Sequence, residues 1–132
     1  MLAELDPVKE GYSFYTVDPD GNFEGSNDFA VIGSDDSIKS MKLYLRRYSA
    51  ESSFISVFDL ALRAWACGRF AIDEKSVGEE LTDEDISSFL RQQIQGYRIE
   101  CGVLDRQAPT TSKFRLISMD EMKVIVKEAG SF

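Results

Sequence analysis

Phe54-Ile55-Ser56-Val57-Phe58-Asp59-Leu60-Ala61-Leu62-Arg63-Ala64-Trp65-Ala66-Cys67 is apolar on nearly every side that a helical winding would give it. Only Asp59 and Arg63 interrupt it as charges, and they stand four apart, where they meet on one helix face. A helix that is hydrophobic almost all round has to be enclosed by other elements. The stretch therefore predicts a central helix, with Trp65 at the heart of the core. Apolar character continues to Ile72, but Asp59, Arg63 and Arg69 lie inside the run. Lipid would charge a few kcal/mol for each of them, so a core helix is preferred to a membrane span.

On the amino-terminal side, Ser34-Asp35-Asp36-Ser37 is a helix-start signal: short acceptors and anions stand where free N–H groups and the positive dipole end lie. The helix that follows places Ile38, Met41, Leu45 and Tyr48 on one face, and Lys39, Lys42, Arg46 and Arg47 on others. Further back, Tyr12 to Val17 is aromatic and β-branched and reads as a strand. Asp18-Pro19-Asp20-Gly21-Asn22 supplies turn chemistry. Phe23-Glu24-Gly25 and Asp28 to Gly33 then return the chain as one or two further strands.

On the carboxyl-terminal side, an acidic connection leads to the cap Thr82-Asp83-Glu84-Asp85. Ile86, Phe89, Leu90 and Ile94 follow as the apolar face of a third helix, ended by Gly96. Tyr97 to Val103 alternates with period two and pairs, in expectation, with Lys113 to Ile117 across a turn at Ala108-Pro109-Thr110. Ser118-Met119-Asp120-Glu121 resembles a capping box, with Met122, Ile125, Val126 and Ala129 as a final helical face, although 123–127 suits a strand equally well. The expected fold is α+β: an N-terminal β-hairpin or meander, three central helices, a C-terminal β-hairpin and a final helix or strand. Neither a repeat nor a linker divides it, so residues 1–132 are expected to form a single domain.

Composition narrows the function. The chain has 132 residues, 43% of them hydrophobic and 29% charged, with a formal net charge of −8. Such a balance suits a folded domain and opposes attraction to nucleic acid or anionic lipid. Met1 to Pro7 is acidic and broken by proline, unlike the basic and apolar regions of a signal peptide. Cys67 and Cys101 each sit in an apolar run and read as reduced, buried thiols. A cytoplasmic protein without a membrane association is the expectation.

Chemistry is limited by what is missing. There is no histidine, which removes imidazole bases, His-dependent triads and most zinc or iron ligand sets. No phosphate-binding glycine loop or serine-nucleophile motif occurs. Asp18, Asp20 and Asn22 stand at positions 1, 3 and 5 of a calcium loop, but position 6 is Phe23 and position 12 is Phe29. A hairpin turn is the better reading. Asp59 and Arg63 beside Trp65 read as an ion pair at the edge of a core helix rather than as a catalytic pair. No catalytic, cofactor-binding or metal-binding residues are assigned, and the chain is expected not to be an enzyme. A histidine-free enzyme working on carboxylates remains a lesser alternative.

The uneven charge is the positive signal. Residues 1–36 hold nine acids and one lysine, and residues 70–90 hold seven acids and one lysine. Residues 37–69 carry six bases against two acids. Acid-rich loops can simply be solvated, or they can recognise a basic protein. The second reading makes Asp73, Glu74, Glu79, Glu80, Asp83, Glu84 and Asp85 the candidate partner surface. Lys39, Lys42, Arg46 and Arg47 form a secondary one, suited to an acidic segment or to the chain's own copy. Immunity, anti-defence and antitoxin proteins share this profile of size and charge. The alternative is an oligomeric regulatory or assembly factor of a larger complex. The basic stripe and the hairpin after the third helix loosely suggest a winged-helix nucleic-acid binder, but its acidic cap would meet phosphate badly.

Overall fold

The computed structural model of the chain describes residues 1–8, 10–47, 53–73 and 81–129. Its elements run β1 (Leu2–Leu5), β2 (Tyr12–Val17), β3 (Phe23–Ser26), α1 (Asp35–Leu45), α2 (Phe54–Asp73), α3 (Asp83–Gln93), a 3-10 turn (Ile94–Gly96), β4 (Gly102–Leu104), β5 (Phe114–Leu116) and α4 (Met119–Ala129). This is an α+β fold in the expected order. The ambiguous segment 123–127 is helical. Its start is set by a reciprocal cap, in which the Glu121 amide donates to Ser118 Oγ and the Ser118 amide donates to Glu121 Oε2. The contacts of the chain gather into two units, Met1–Ile32 with Glu100–Ile117 and Gly33–Ile99 with Ser118–Phe132.

The second unit is helical, and α1, α3 and α4 all pack against α2. Met41, Tyr44, Leu45, Phe58, Leu62 and Cys67 are among its buried side chains, and Ile86 and Leu90 of α3 are the largest that are fully enclosed. α1 approaches α2 closely because Gly68 has no side chain: a Cβ there would lie 2.5 Å from Ser37 Oγ and 2.9 Å from Met41 Cγ. This approach turns Ser37, Met41, Tyr44 and Leu45 inward. Ile38, expected on the buried face, is only half-buried, and Tyr48 lies outside the described residues. Trp65 is also half-buried rather than the heart of the core. Its indole meets Tyr97 edge to face at 5.0 Å between ring centroids. The reason is that α2 is covered on part of its circumference, leaving Phe54, Val57 and Ile72 exposed.

The first unit is built on strands. β1 pairs with β2 through Leu2↔Tyr15 and Leu5↔Tyr12, and β2 pairs with β3 through Phe14↔Ser26 and Val17↔Phe23, all antiparallel. The sequence predicts a hairpin or meander from Tyr12 onward, returned by one or two strands over Phe23-Glu24-Gly25 and Asp28 to Gly33. Residues 28–33 contain no strand; the third strand of the sheet is β1, which takes the edge of β2 opposite β3. In the β2–β3 turn Gly21 takes φ 86°, a conformation that glycine adopts freely. The second hairpin is also shorter than expected, pairing Gly102↔Leu116 to Leu104↔Phe114, while Tyr97 to Cys101 lies outside any strand. Arg106, between β4 and β5, donates to the carbonyls of Asp6 at 2.7 Å and Gly11 at 2.5 Å. It thereby ties the β4–β5 connection to the β1–β2 turn. Among the described residues of this unit none is buried.

Candidate functional site

The acidic segment singled out in the sequence divides into groups with different work. Asp73 closes α2, and both its carboxylate oxygens accept from Arg69, at 2.9 and 3.1 Å. Asp85 completes a capping box. Its amide donates to Thr82 Oγ1, and its carboxylate accepts from the Thr82 amide at 3.1 Å and from the hydroxyl at 2.6 Å. The Thr82 hydrogen bonds hold the Asp85 carboxyl below the usual aspartate value. Asp83 and Glu84 share the first turn of α3, are exposed, and take no part in this cap through their side chains. Glu74, Glu79 and Glu80 lie outside the described residues.

Beneath this turn runs the pair that anchors α3 to α2. Arg63 Nε donates to Asp59 Oδ2 at 2.8 Å, and its guanidinium also donates to Ser87 Oγ at 2.8 Å. The Ser87 hydroxyl donates in turn to the Asp83 carbonyl at 2.7 Å. Burial opposes the Arg63 charge, but its hydrogen bond and attraction to Asp59 outweigh that and raise its pKa. The remaining Asp59 oxygen, Oδ1, is buried without a hydrogen-bond partner. The pair is half-buried and joins two helices, which agrees with an ion pair at the edge of the core.

The secondary surface is less uniform than its spacing implied. Lys39, Arg46 and Arg47 are exposed, whereas Lys42 is half-buried. Lys42 and Arg47 each take part in interactions of their own, so the stripe is not a uniform row of solvated cations.

Reactive groups are quiet where the structure describes them. Cys67 and Cys101 are both free thiols; Cys67 is buried as expected, whereas Cys101 is only half-buried. Burial pushes the Cys67 thiol up to about 11 and raises that of Cys101 too, so neither is a ready thiolate nucleophile at neutral pH. In the Asp18–Asn22 turn both Asp18 oxygens accept from Asn22, one from its amide at 2.8 Å and one from its side chain at 3.0 Å. Those bonds lower the Asp18 pKa and close the turn on itself. Among the described residues no group of three or more carboxylates and thiols is arranged to hold a metal ion. Nor is any described helix long and apolar enough to cross a membrane.

Leu2, Tyr15, Val17 and Phe23 share one face of the β1–β3 sheet, a surface that no motif in the sequence marks. The signal was weak because β2 carries aromatic residues on both faces, without the polar–apolar contrast that marks one side as covered. No family model, no curated protein and no solved structure matches the chain.

Proposed function

We propose that this protein is a small acidic interaction module that binds a basic partner protein by surface complementarity, in the manner of an inhibitor and without covalent chemistry. The observation that carries this reading is the division of labour in the first turn of α3. Thr82 and Asp85 complete the cap, so Asp83 and Glu84 extend the acidic surface beyond the side chains that close the capping box. Carboxylates at a helix start also interact favourably with the dipole. They therefore form a standing anionic surface on a rigid element, which steers and selects a cationic partner. A nuclease-type toxin or a nucleic-acid-binding protein whose site is to be covered would present such a basic face.

The test is capture of partners by the tagged full chain from its source cell, followed by titration of the identified, purified partner at rising salt. Binding should weaken steeply with salt, and joint reversal of Glu79, Glu80, Asp83 and Glu84 to lysine should cost about a hundredfold or more in affinity. Salt-insensitive binding that survives the reversal would overturn the proposal. A stable homo-oligomer that buries Lys39 to Arg47 would replace it with the assembly-factor reading.

A further inference from the structure

The three-stranded sheet presents two faces of different character. Tyr12 and Phe14 share one, with ring centroids 5.5 Å apart; there Phe14, Thr16 and Leu5 are half-buried and Tyr12 is exposed. The other carries Leu2, Tyr15, Val17 and Phe23, which the register places in one diagonal run: Leu2 opposite Tyr15, and Val17 opposite Phe23. Leu2 is 64% exposed, Val17 55% and Phe23 75%, while Tyr15 between them is half-buried. Tyr15 lies against Gly25 on the next strand, where a Cβ would stand 3.4 Å from its ring, so the middle of the face is flat. An apolar run across three neighbouring strands is unlike the scattered single hydrophobes of an ordinary surface.

Charge says what kind of molecule fits it. Residues 1–32 carry seven acids and one lysine. Glu4 stands on the apolar face itself, accepting the Tyr15 hydroxyl at 3.1 Å, and Asp18 and Asp20 occupy the turn that joins Val17 to Phe23. Arg106 is engaged at the opposite end of the sheet, on the carbonyls of Asp6 and Gly11. The apolar run is thus bordered by carboxylates. Two interstrand spacings of about 4.8 Å set β1 and β3 roughly 10 Å apart, the width of one α-helix.

We infer that the Leu2–Tyr15–Val17–Phe23 face is a docking surface for one amphipathic basic helix of a partner protein. The aliphatic stripe of that helix lies along the apolar run, and its flanking lysines and arginines meet Glu4, Asp18 and Asp20. This rests on the reading above in taking the partner to be basic, and it adds a second surface and the partner's form. A sheet face covered by a helix layer is one of the few stable solutions for such a surface.

The probe is a synthetic helical peptide with leucines at i, i+3, i+4 and i+7 and lysines elsewhere, added to the isotope-labelled full chain and followed by amide chemical shifts. One control replaces its lysines by glutamates. Another scrambles the leucines so that no stripe forms. The leucine–lysine peptide should shift the amides of β1, β2 and β3. It should bind about tenfold or more tighter than either control, and lose its advantage over the scrambled control with Phe23→Ser or, independently, with Val17→Thr. Both positions are exposed, so the variants keep their fold by circular dichroism. Reversal of Asp83 and Glu84 to lysine should leave this binding unchanged, which separates it from the α3 surface. Equal binding of either control, or shifts confined to other elements, would overturn the inference. So would concentration-dependent shifts of the protein alone that Phe23→Ser abolishes, since a second copy would then be the occupant.

Discussion

The helical unit and the sheet unit hold their shapes by different means. In the helical unit α2 is packed by three other helices, and residues such as Leu62, Ile86 and Leu90 are withdrawn from water. In the sheet unit the strands are joined by backbone ladders and by the hold of Arg106 on the β1–β2 turn, yet none of its described residues is buried. Apolar burial contributes about 1.5–3 kcal/mol for each large side chain enclosed. The helical unit therefore carries its own driving force for folding. The sheet unit exposes aliphatic and aromatic side chains that a packed layer would ordinarily cover. In the inference drawn above, a partner's helix supplies that layer.

Four substitutions test this contrast, in falling order of effect. Leu90→Ala should lower stability by about 2–5 kcal/mol, because it empties a fully enclosed site; urea denaturation followed by helical ellipticity reads it. Gly68→Ala should cost about 1–3 kcal/mol by forcing a methyl group against Ser37 and Met41. Adding Ser37→Gly to the same chain should recover part of that loss. If Gly68→Ala is silent, the close approach of α1 to α2 is not required.

Thr82→Ala should cost about 1 kcal/mol through loss of the α3 cap. This effect also has a pH signature. The folded pKa of Asp85 is lowered, so its contribution is full above the unfolded aspartate value and is lost as pH falls through the folded one. The gap between the wild-type and Thr82→Ala midpoints should therefore narrow in acid, without closing, because the Asp85 amide still donates to the Thr82 hydroxyl. The smallest change is expected from Arg106→Ala, about 1 kcal/mol or less for exposed hydrogen bonds. It should show as faster amide exchange at Asp6, whose amide donates to the Gly11 carbonyl, while protection in α2 is unchanged. Equal loss of protection in both units would break the distinction between them.

Legibility in the sequence followed the range of the forces involved. Capping signals are local: Thr82 with Asp85 and Ser118 with Glu121 form the boxes that their spacing predicts, and Tyr12 to Val17 is a strand over the expected residues. β1 was not legible, because Leu2 to Leu5 has no β-branched residue and becomes a strand by pairing with β2. Trp65 was misplaced because apolar periodicity identifies a helix worth enclosing but not how much of its circumference other helices cover. The acidic segment read as one surface, whereas Asp73 pairs with Arg69 and Asp85 serves the cap.

By itself, then, the sequence determined the rough α+β order of elements, the caps of α3 and α4, the absence of histidine chemistry and the segregation of charge, all of which depend on residue type and short spacing. Only the tertiary structure decided that Gly68 admits Ser37, that Ile86 and Leu90 rather than Trp65 are enclosed, and that Leu2, Tyr15, Val17 and Phe23 share one open face. Those outcomes depend on which surfaces meet across long stretches of chain, and side-chain periodicity along one element holds no record of its neighbours.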